Sequence, residues 1–113
     1  MDLRLSKDGV PVIWHDETIR WNCCNDKVNT YTVSDLQACW ATPTFEDVLK
    51  CSNGSIVINA EFKDADTVEP AIALVKKYRA HSWVYFQAKS SSERYRRARA
   101  ADKDVVLSFK VRD

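Results

Sequence analysis

The first residues alternate, Asp2 and Arg4 polar against Leu3 and Leu5 apolar, which is the period of a half-buried strand. A Lys7-Asp8-Gly9 reversal follows, with Gly9 suited to the positive φ of a tight turn. The apolar run Val10–Trp14 then predicts a second strand that delivers His15 and Asp16 at its end. Two strands joined this tightly bring Asp2 close to His15, and an acid and a histidine at one strand end form a plausible catalytic arrangement. Residues 17–32 are polar and read as an irregular loop, in which Trp21 and Tyr31 either line an entrance or pin the loop to the body.

A short helix is expected over Asp35–Trp40, started by Ser34, with Leu36, Cys39 and Trp40 at helical spacing. Thr42-Pro43-Thr44 breaks it. Thr44 with Asp47 three positions on is a capping pair for a helix whose apolar face is Phe45, Val48 and Leu49. Asn53-Gly54 closes that helix, and Ile56-Val57-Ile58 begin a strand running out through Asn59, Ala60, Glu61, Phe62 and Lys63. Glu61 and Lys63, two apart, share one side of it.

Asp66, with Glu69 and Pro70, predicts a capped helix start, and Val68, Ile72, Val75 and Tyr78 mark its buried face. Lys76, Lys77 and Arg79 gather at its C-terminal end, where the helix dipole favours cations. A strand over Trp83–Gln87, a capping box from Ser90 to Glu93, a helix over Glu93–Asp102 and a strand over Val105–Phe109 complete the pattern. Helices and strands alternating from Thr44 onward indicate a parallel α/β arrangement.

Composition adds limits rather than a function. Seventeen basic and sixteen acidic residues leave a formal charge of +1, so net charge indicates no polyanionic partner. Arg94, Arg96, Arg97 and Arg99 crowd one helix without interleaved aromatic platforms, which is the pattern of a solvated face rather than a nucleic-acid surface. No apolar run approaches the ~18 residues of a membrane span. Cys23, Cys24, Cys39 and Cys51 lack the spacing of a zinc site and read as reduced thiols, from which a reducing, cytoplasmic setting is expected. His81 ends a helix just before a strand and is expected to be a helix-terminal residue.

The segment DLRLSKDGVPVIWHDETI resembles the signature of the glycerophosphodiester phosphodiesterases, a TIM-barrel family. That pattern reads Glu-x-Asp, a strand, Thr/Ser-Lys-Asp-Gly, a second apolar strand, then His-Asp-x-Thr-Leu. TPTFEDVLKC is similar to the family's Pro-Thr-Leu-Glu-Glu-Val-Leu segment, and INAEFK to its Ile-Asn-x-Glu-x-Lys motif. The resemblance implies that residues 1–113 are a fragment of a single domain, about half of a (β/α)8 barrel, since a complete barrel takes about 200–250 residues. It also implies that the chain begins in mid-motif, with Met1 at the variable position before Asp2.

By the same resemblance Asp2 and Glu61 are metal ligands, His15 is a catalytic acid/base and Lys63 contacts the substrate phosphate. Hard carboxylate oxygens suit Mg²⁺ or Ca²⁺. The family's third carboxylate, two residues before Asp2, and its other histidine, in a His-Arg motif, have no counterpart in the sequence. Asp16 is expected to orient a turn or the His15 imidazole. The implied reaction is metal-dependent hydrolysis of small glycerophosphodiesters to glycerol 3-phosphate and an alcohol, with the 113-residue chain alone inactive or nearly so. The alternative is a non-catalytic truncated barrel acting as a binding or dimerising module, and the sheet edges of a half-barrel are expected to self-associate.

Overall fold

A computed structural model describes residues 1–88 and 92–109. The elements, in chain order, are β1 (Asp2–Leu5), β2 (Pro11–Ile13), β3 (Thr18–Trp21), β4 (Cys24–Lys27), α1 (Val33–Ala38), α2 (Phe45–Ser52), β5 (Ile58–Phe62), α3 (Val68–Lys77), β6 (Val84–Ala88), α4 (Glu93–Ala101) and β7 (Val106–Phe109). Short 3-10 turns occupy Val28–Thr30 and Ala65–Thr67. Five strands form one sheet in the order β2-β1-β5-β6-β7, and β3 pairs with β4 alone. Only β2 is antiparallel within the larger sheet; β1, β5, β6 and β7 run parallel. The alternation of helix and strand after Thr44 therefore produces the expected parallel α/β layer.

Period-two alternation decides which side of that sheet is covered. Leu3, Ile58, Ala60, Phe62, Val84, Phe86 and Ala88 are buried together with Phe45 and Leu49 of α2, Val68, Ala71, Ile72 and Val75 of α3, and Ala98 of α4. Phe86 is the aromatic centre, stacked on Phe62 at 4.6 Å and edge-on to Phe45 at 6.1 Å. The intervening residues Asn59, Glu61, Tyr85 and Gln87 are only partly buried. In a closed barrel such a face lines the interior.

The turn at Gly9 forms as expected, with φ +79°. Asp8 accepts from the Ser6 hydroxyl and from the Val33 amide, so one carboxylate fixes both the reversal and the start of α1. The Ser6 hydrogen bond also holds the Asp8 carboxyl below the usual carboxylate range. Thr44 and Asp47 make their reciprocal capping bonds, and Asn53 ends α2 in the left-handed conformation at φ +41°.

Several expectations are corrected. Residues 17–32 are not irregular: they fold into the β3–β4 hairpin and a 3-10 turn. The hairpin tip reaches the end of α1, where Cys23 and Cys39 form a disulfide with Cα atoms 5.5 Å apart. The reading of all four cysteines as reduced thiols fails there, and with it the ground for expecting a reducing, cytoplasmic setting. Tyr31 pins the hairpin, its hydroxyl accepting from the Asn25 amide, whereas Trp21 stays half exposed. Thr32, not Ser34, caps α1, and that helix stops before Trp40, which turns to φ +54° and is 86% exposed.

The strand around Glu61 starts two residues later than expected. Gly54 and a bend at Ser55 delay the ladder until the Ile58 amide reaches the Trp83 carbonyl, leaving Ile56 and Val57 exposed. Asp66 does not cap α3; the chain enters that helix through a 3-10 turn, and Asp66 and Glu69 both bind Arg97 of α4. Arg97 is thus an interhelical tie rather than part of a solvated face. Ser92 is the observed cap of α4, while Ser90 and Ser91 of the expected capping box lie outside the described residues.

Of the sheet edges, β2 is shielded. The Ile13 amide donates to the Pro43 carbonyl, and Val12 bridges Thr44. At the end of the sheet where β6 and β7 begin, His81 binds Asp102 at 2.6 Å, which joins the α3–β6 turn to the end of α4. This bond and the Asp104 amide hold the Asp102 carboxyl below its ordinary value. A carboxylate depressed by folding stabilises above its unfolded pKa and loses that contribution as pH falls through the folded one. Urea unfolding of Asp102→Asn should therefore show a deficit of about 1–3 kcal/mol at pH 5 to 6 that shrinks below pH ~4; equal stability at pH 6 would show that the pair contributes nothing.

Candidate active site

Asp2 and Glu61 face each other across the parallel β1–β5 pair, in direct register. Registered residues of neighbouring strands project from the same face, so both carboxylates lie on the side of the sheet away from the helices. Three hydrogen bonds fix this register: Met1 N to Asn59 O, Glu61 N to Met1 O and Lys63 N to Leu3 O. Lys63 carries on the alternation, and its ammonium sits 3.2 Å from a Glu61 carboxylate oxygen. Both side chains are about one-fifth exposed, enough for contact with a ligand and little enough for the charges to be felt strongly.

His15 is brought to the same end by β2. The Trp14 amide donates to the Asp2 carbonyl at 3.1 Å, placing His15 one residue beyond that contact. Arg4, on the Asp2 face of β1, donates from Nε and Nη2 to the His15 carbonyl and from Nη1 to Asp64. The backbone of His15 is therefore anchored while its ring remains largely exposed. Nδ1 lies 2.7 Å from the Asp16 carboxylate, the orienting contact expected of Asp16, and Nε2 faces away from that bond.

Two adjoining clefts lie beside Arg4 and Lys63, and neither is lined by Asp2, Glu61 or His15. One is lined by Arg4, Leu5, Glu17, Lys27, Asn29 and Asp64, and the other by Lys63, Asp64, Ala65 and Asp66 among others. Both open at the carboxyl ends of β1 and β5, where sites of parallel α/β folds form. Asn59 Oδ1, two residues before Glu61 on the same strand face, is buried without a hydrogen-bond partner. Two carboxylates in register and an orphaned amide oxygen nearby are hard donors, and this fits an oxygen-seeking divalent cation better than a thiophilic one.

Sequence reasoning passed over three contributors. Arg4 was legible, since its spacing from Asp2 puts it on the same strand face. Gln87, the register neighbour of Glu61, required the β5–β6 pairing to be known. Arg94 had no local signal: it reaches from α4 to the Phe62 carbonyl at 3.1 Å and clamps the end of the strand bearing Glu61. His81 lies at the opposite end of the sheet, in the turn after α3 rather than at that helix's terminus. Removing the Arg94 guanidinium leaves a strand-end carbonyl without its charged donor, so Arg94→Ala should cost about 1–3 kcal/mol in urea unfolding; a change within ~0.5 kcal/mol would show that the clamp is incidental.

Comparison with known proteins gives the family and the fold. The family model described as "Glycerophosphoryl diester phosphodiesterase family" matches residues 1–112. "Probable glycerophosphodiester phosphodiesterase 2" of Mycobacterium tuberculosis is 29% identical over 95% of this chain and 42% of that protein. A glycerophosphoryl diester phosphodiesterase of Parabacteroides distasonis superposes with a TM-score of 0.76 at 23% identity, over 96% of this chain and 41% of that one. A glycerophosphodiester phosphodiesterase of Agrobacterium tumefaciens gives 0.76 at 21% identity, over 94% and 51%. The chain thus spans about half the length, or less, of the relatives it matches, and its fold is that of about half a TIM barrel. On the match across nearly its whole length, the chain belongs to the glycerophosphoryl diester phosphodiesterase family.

Proposed function

We propose that this chain carries part of the active site of a metal-assisted enzyme that hydrolyses glycerophosphodiesters to glycerol 3-phosphate and an alcohol. The observation that carries the reading is the registered pair Asp2 and Glu61, with Lys63 against Glu61 and the His15 backbone tied to the same strand end. A phosphodiester is anionic and its leaving group is a poor alkoxide. Such a site needs positive charge on the phosphoryl oxygens and a proton for the departing oxygen.

Asp2 and Glu61 would hold Mg²⁺ or Ca²⁺, with Asn59 Oδ1 close enough in sequence and face to complete or orient the donor set. Bound there, the cation supplies Lewis-acid withdrawal of charge from the phosphoryl group. Lys63 adds a second positive charge beside Glu61 and would contact a non-bridging phosphate oxygen. His15, its Nδ1 held by Asp16, presents Nε2 to take a proton from the attacking hydroxyl or deliver one to the alkoxide. Arg4 fixes the His15 backbone rather than the proton itself.

The resemblance implies a third carboxylate and a second histidine that have no counterpart in this sequence, and one histidine cannot serve as acid and base at once. We therefore infer that the 113-residue chain by itself turns over little or no substrate, and that the activity belongs to a complete barrel containing this segment. In the full-length protein, release of glycerol 3-phosphate from glycerophosphocholine should vanish with chelator and return with Mg²⁺ or Ca²⁺. His15→Ala and Glu61→Gln should each lower kcat by about 10²–10⁴-fold. Hydrolysis indifferent to chelator and to both substitutions would rule the mechanism out. Metal-dependent turnover by the isolated 113 residues would refute the need for the rest of the barrel. A concentration-dependent dimer that ignores metal and tolerates Glu61→Ala would favour a binding or dimerising module instead.

A further inference from the structure

Cys23, Cys24 and Cys39 place three sulfur atoms within 4.8 Å of one another, on the hairpin side of the molecule. Two of them form the disulfide from the hairpin tip to the end of α1, and Cys24 beside them is a free, buried thiol. The exposures are unequal: Cys23 is at the surface, whereas Cys24 and Cys39 belong to a small core with Val12, Ile19, Val28 and Leu36. We propose that these residues are a thiol–disulfide exchange site in which Cys24 displaces Cys23 from Cys39, converting a buried thiol into an exposed one at the hairpin tip.

The step is internally balanced. Cys24 loses its proton to solvent, and its thiolate attacks Cys39 Sγ. The Cys24–Cys39 bond forms as the Cys23–Cys39 bond breaks, and the departing Cys23 thiolate takes up a proton. No oxidant or reductant is consumed. Burial and the nearby Asp35 keep the Cys24 thiol above its ordinary pKa, which makes the exchange slow rather than forbidden. Exchange between Cys23 and Cys24 themselves is disfavoured because adjacent cysteines form a strained ring.

The two isomers differ in what they offer to solvent. In the structure observed, Cys51 is the only exposed free thiol among the described residues. In the exchanged isomer, Cys23 becomes available beside Asn22, whose amide already bonds the Cys39 carbonyl, and near the exposed indoles of Trp21 and Trp40. A low-molecular-weight disulfide or an alkylating reagent can then capture it. The hairpin touches the His15 segment at its base, where the Trp14 indole donates to the Thr18 carbonyl at 3.2 Å, at the end of β3 away from the tip.

The test uses the full chain carrying Cys51→Ser, in which Cys24 is the one free thiol at the outset. Native protein without reductant is incubated with excess iodoacetamide, and the labelled residue and remaining disulfide are located by peptide mass spectrometry. The expected result is one label on Cys23 with a Cys24–Cys39 bridge, at a rate that saturates at high iodoacetamide concentration and stays at least about tenfold below that of Cys51 in the parent chain. Adding Cys24→Ser should abolish the label, and Cys23→Ser should still oxidise in air to Cys24–Cys39, with circular dichroism confirming that each variant is folded. A label on Cys24, no label, or a Cys23 label that survives Cys24→Ser would overturn the proposal. So would a Cys24–Cys39 bridge found before any reagent is added, with Cys23 labelled as fast as Cys51, because no exchange would then be needed to expose Cys23.

Discussion

The parallel pairing of β1 with β5 is the constraint on which the rest of the structure depends. It joins the antiparallel hairpin of the first 13 residues to the helix–strand layer that follows Thr44. A shift of one residue would turn Asp2 or Glu61 toward the helices and present Leu3 or Phe62 to the open face. The register is held because Leu3 and Phe62 are themselves registered and fully buried in the main core. Apolar burial on one side of the sheet thereby sets the meeting of charges on the other.

The two cores divide the labour. The larger one, centred on Phe86, rigidifies the end of β5, with Arg94 adding a polar clamp from α4. The smaller one, built on Ile19, Val28 and Leu36, supports β2 and the hairpin, and so governs where His15 sits relative to Asp2. The disulfide belongs to this smaller core, which has few apolar residues and gains most from a covalent restraint on the unfolded chain. Charge is arranged accordingly: Arg97 ties α3 to α4 on the outside, while Lys63 and Arg4 serve the open face.

Relationship to the glycerophosphoryl diester phosphodiesterases accounts for a sheet face that is polar and only partly buried. Asn59, Glu61, Lys63 and Gln87 would be poor choices for a two-layer domain that ends at its own sheet. They are suitable for the interior of a barrel near its mouth, where charged groups meet ligand rather than helices.

Signals that depend on near neighbours were legible in the sequence by itself: the strand period of Asp2–Leu5, the Gly9 turn, the Thr44–Asp47 box, the Asn53 terminus and the motif around His15, Glu61 and Lys63. All but the last are set by the local geometry of a few consecutive residues, so tertiary packing had only to accept them, and the last was legible only through the family resemblance. The β3–β4 hairpin escaped because Cys24–Lys27 is polar and has little strand character without its partner and the Cys23–Cys39 bond. Asp66 and Glu69 looked like a cap, but Arg97, 31 and 28 residues away, offers both carboxylates a stronger partner once α3 and α4 dock. Ile56 and Val57 looked like strand because their side chains favour it, yet the ladder begins only where Trp83 can accept a hydrogen bond. What the tertiary structure alone decided is therefore the set of long-range pairings, because a charge, a thiol or an amide chooses its partner only after the strands are in register and the helices are in place.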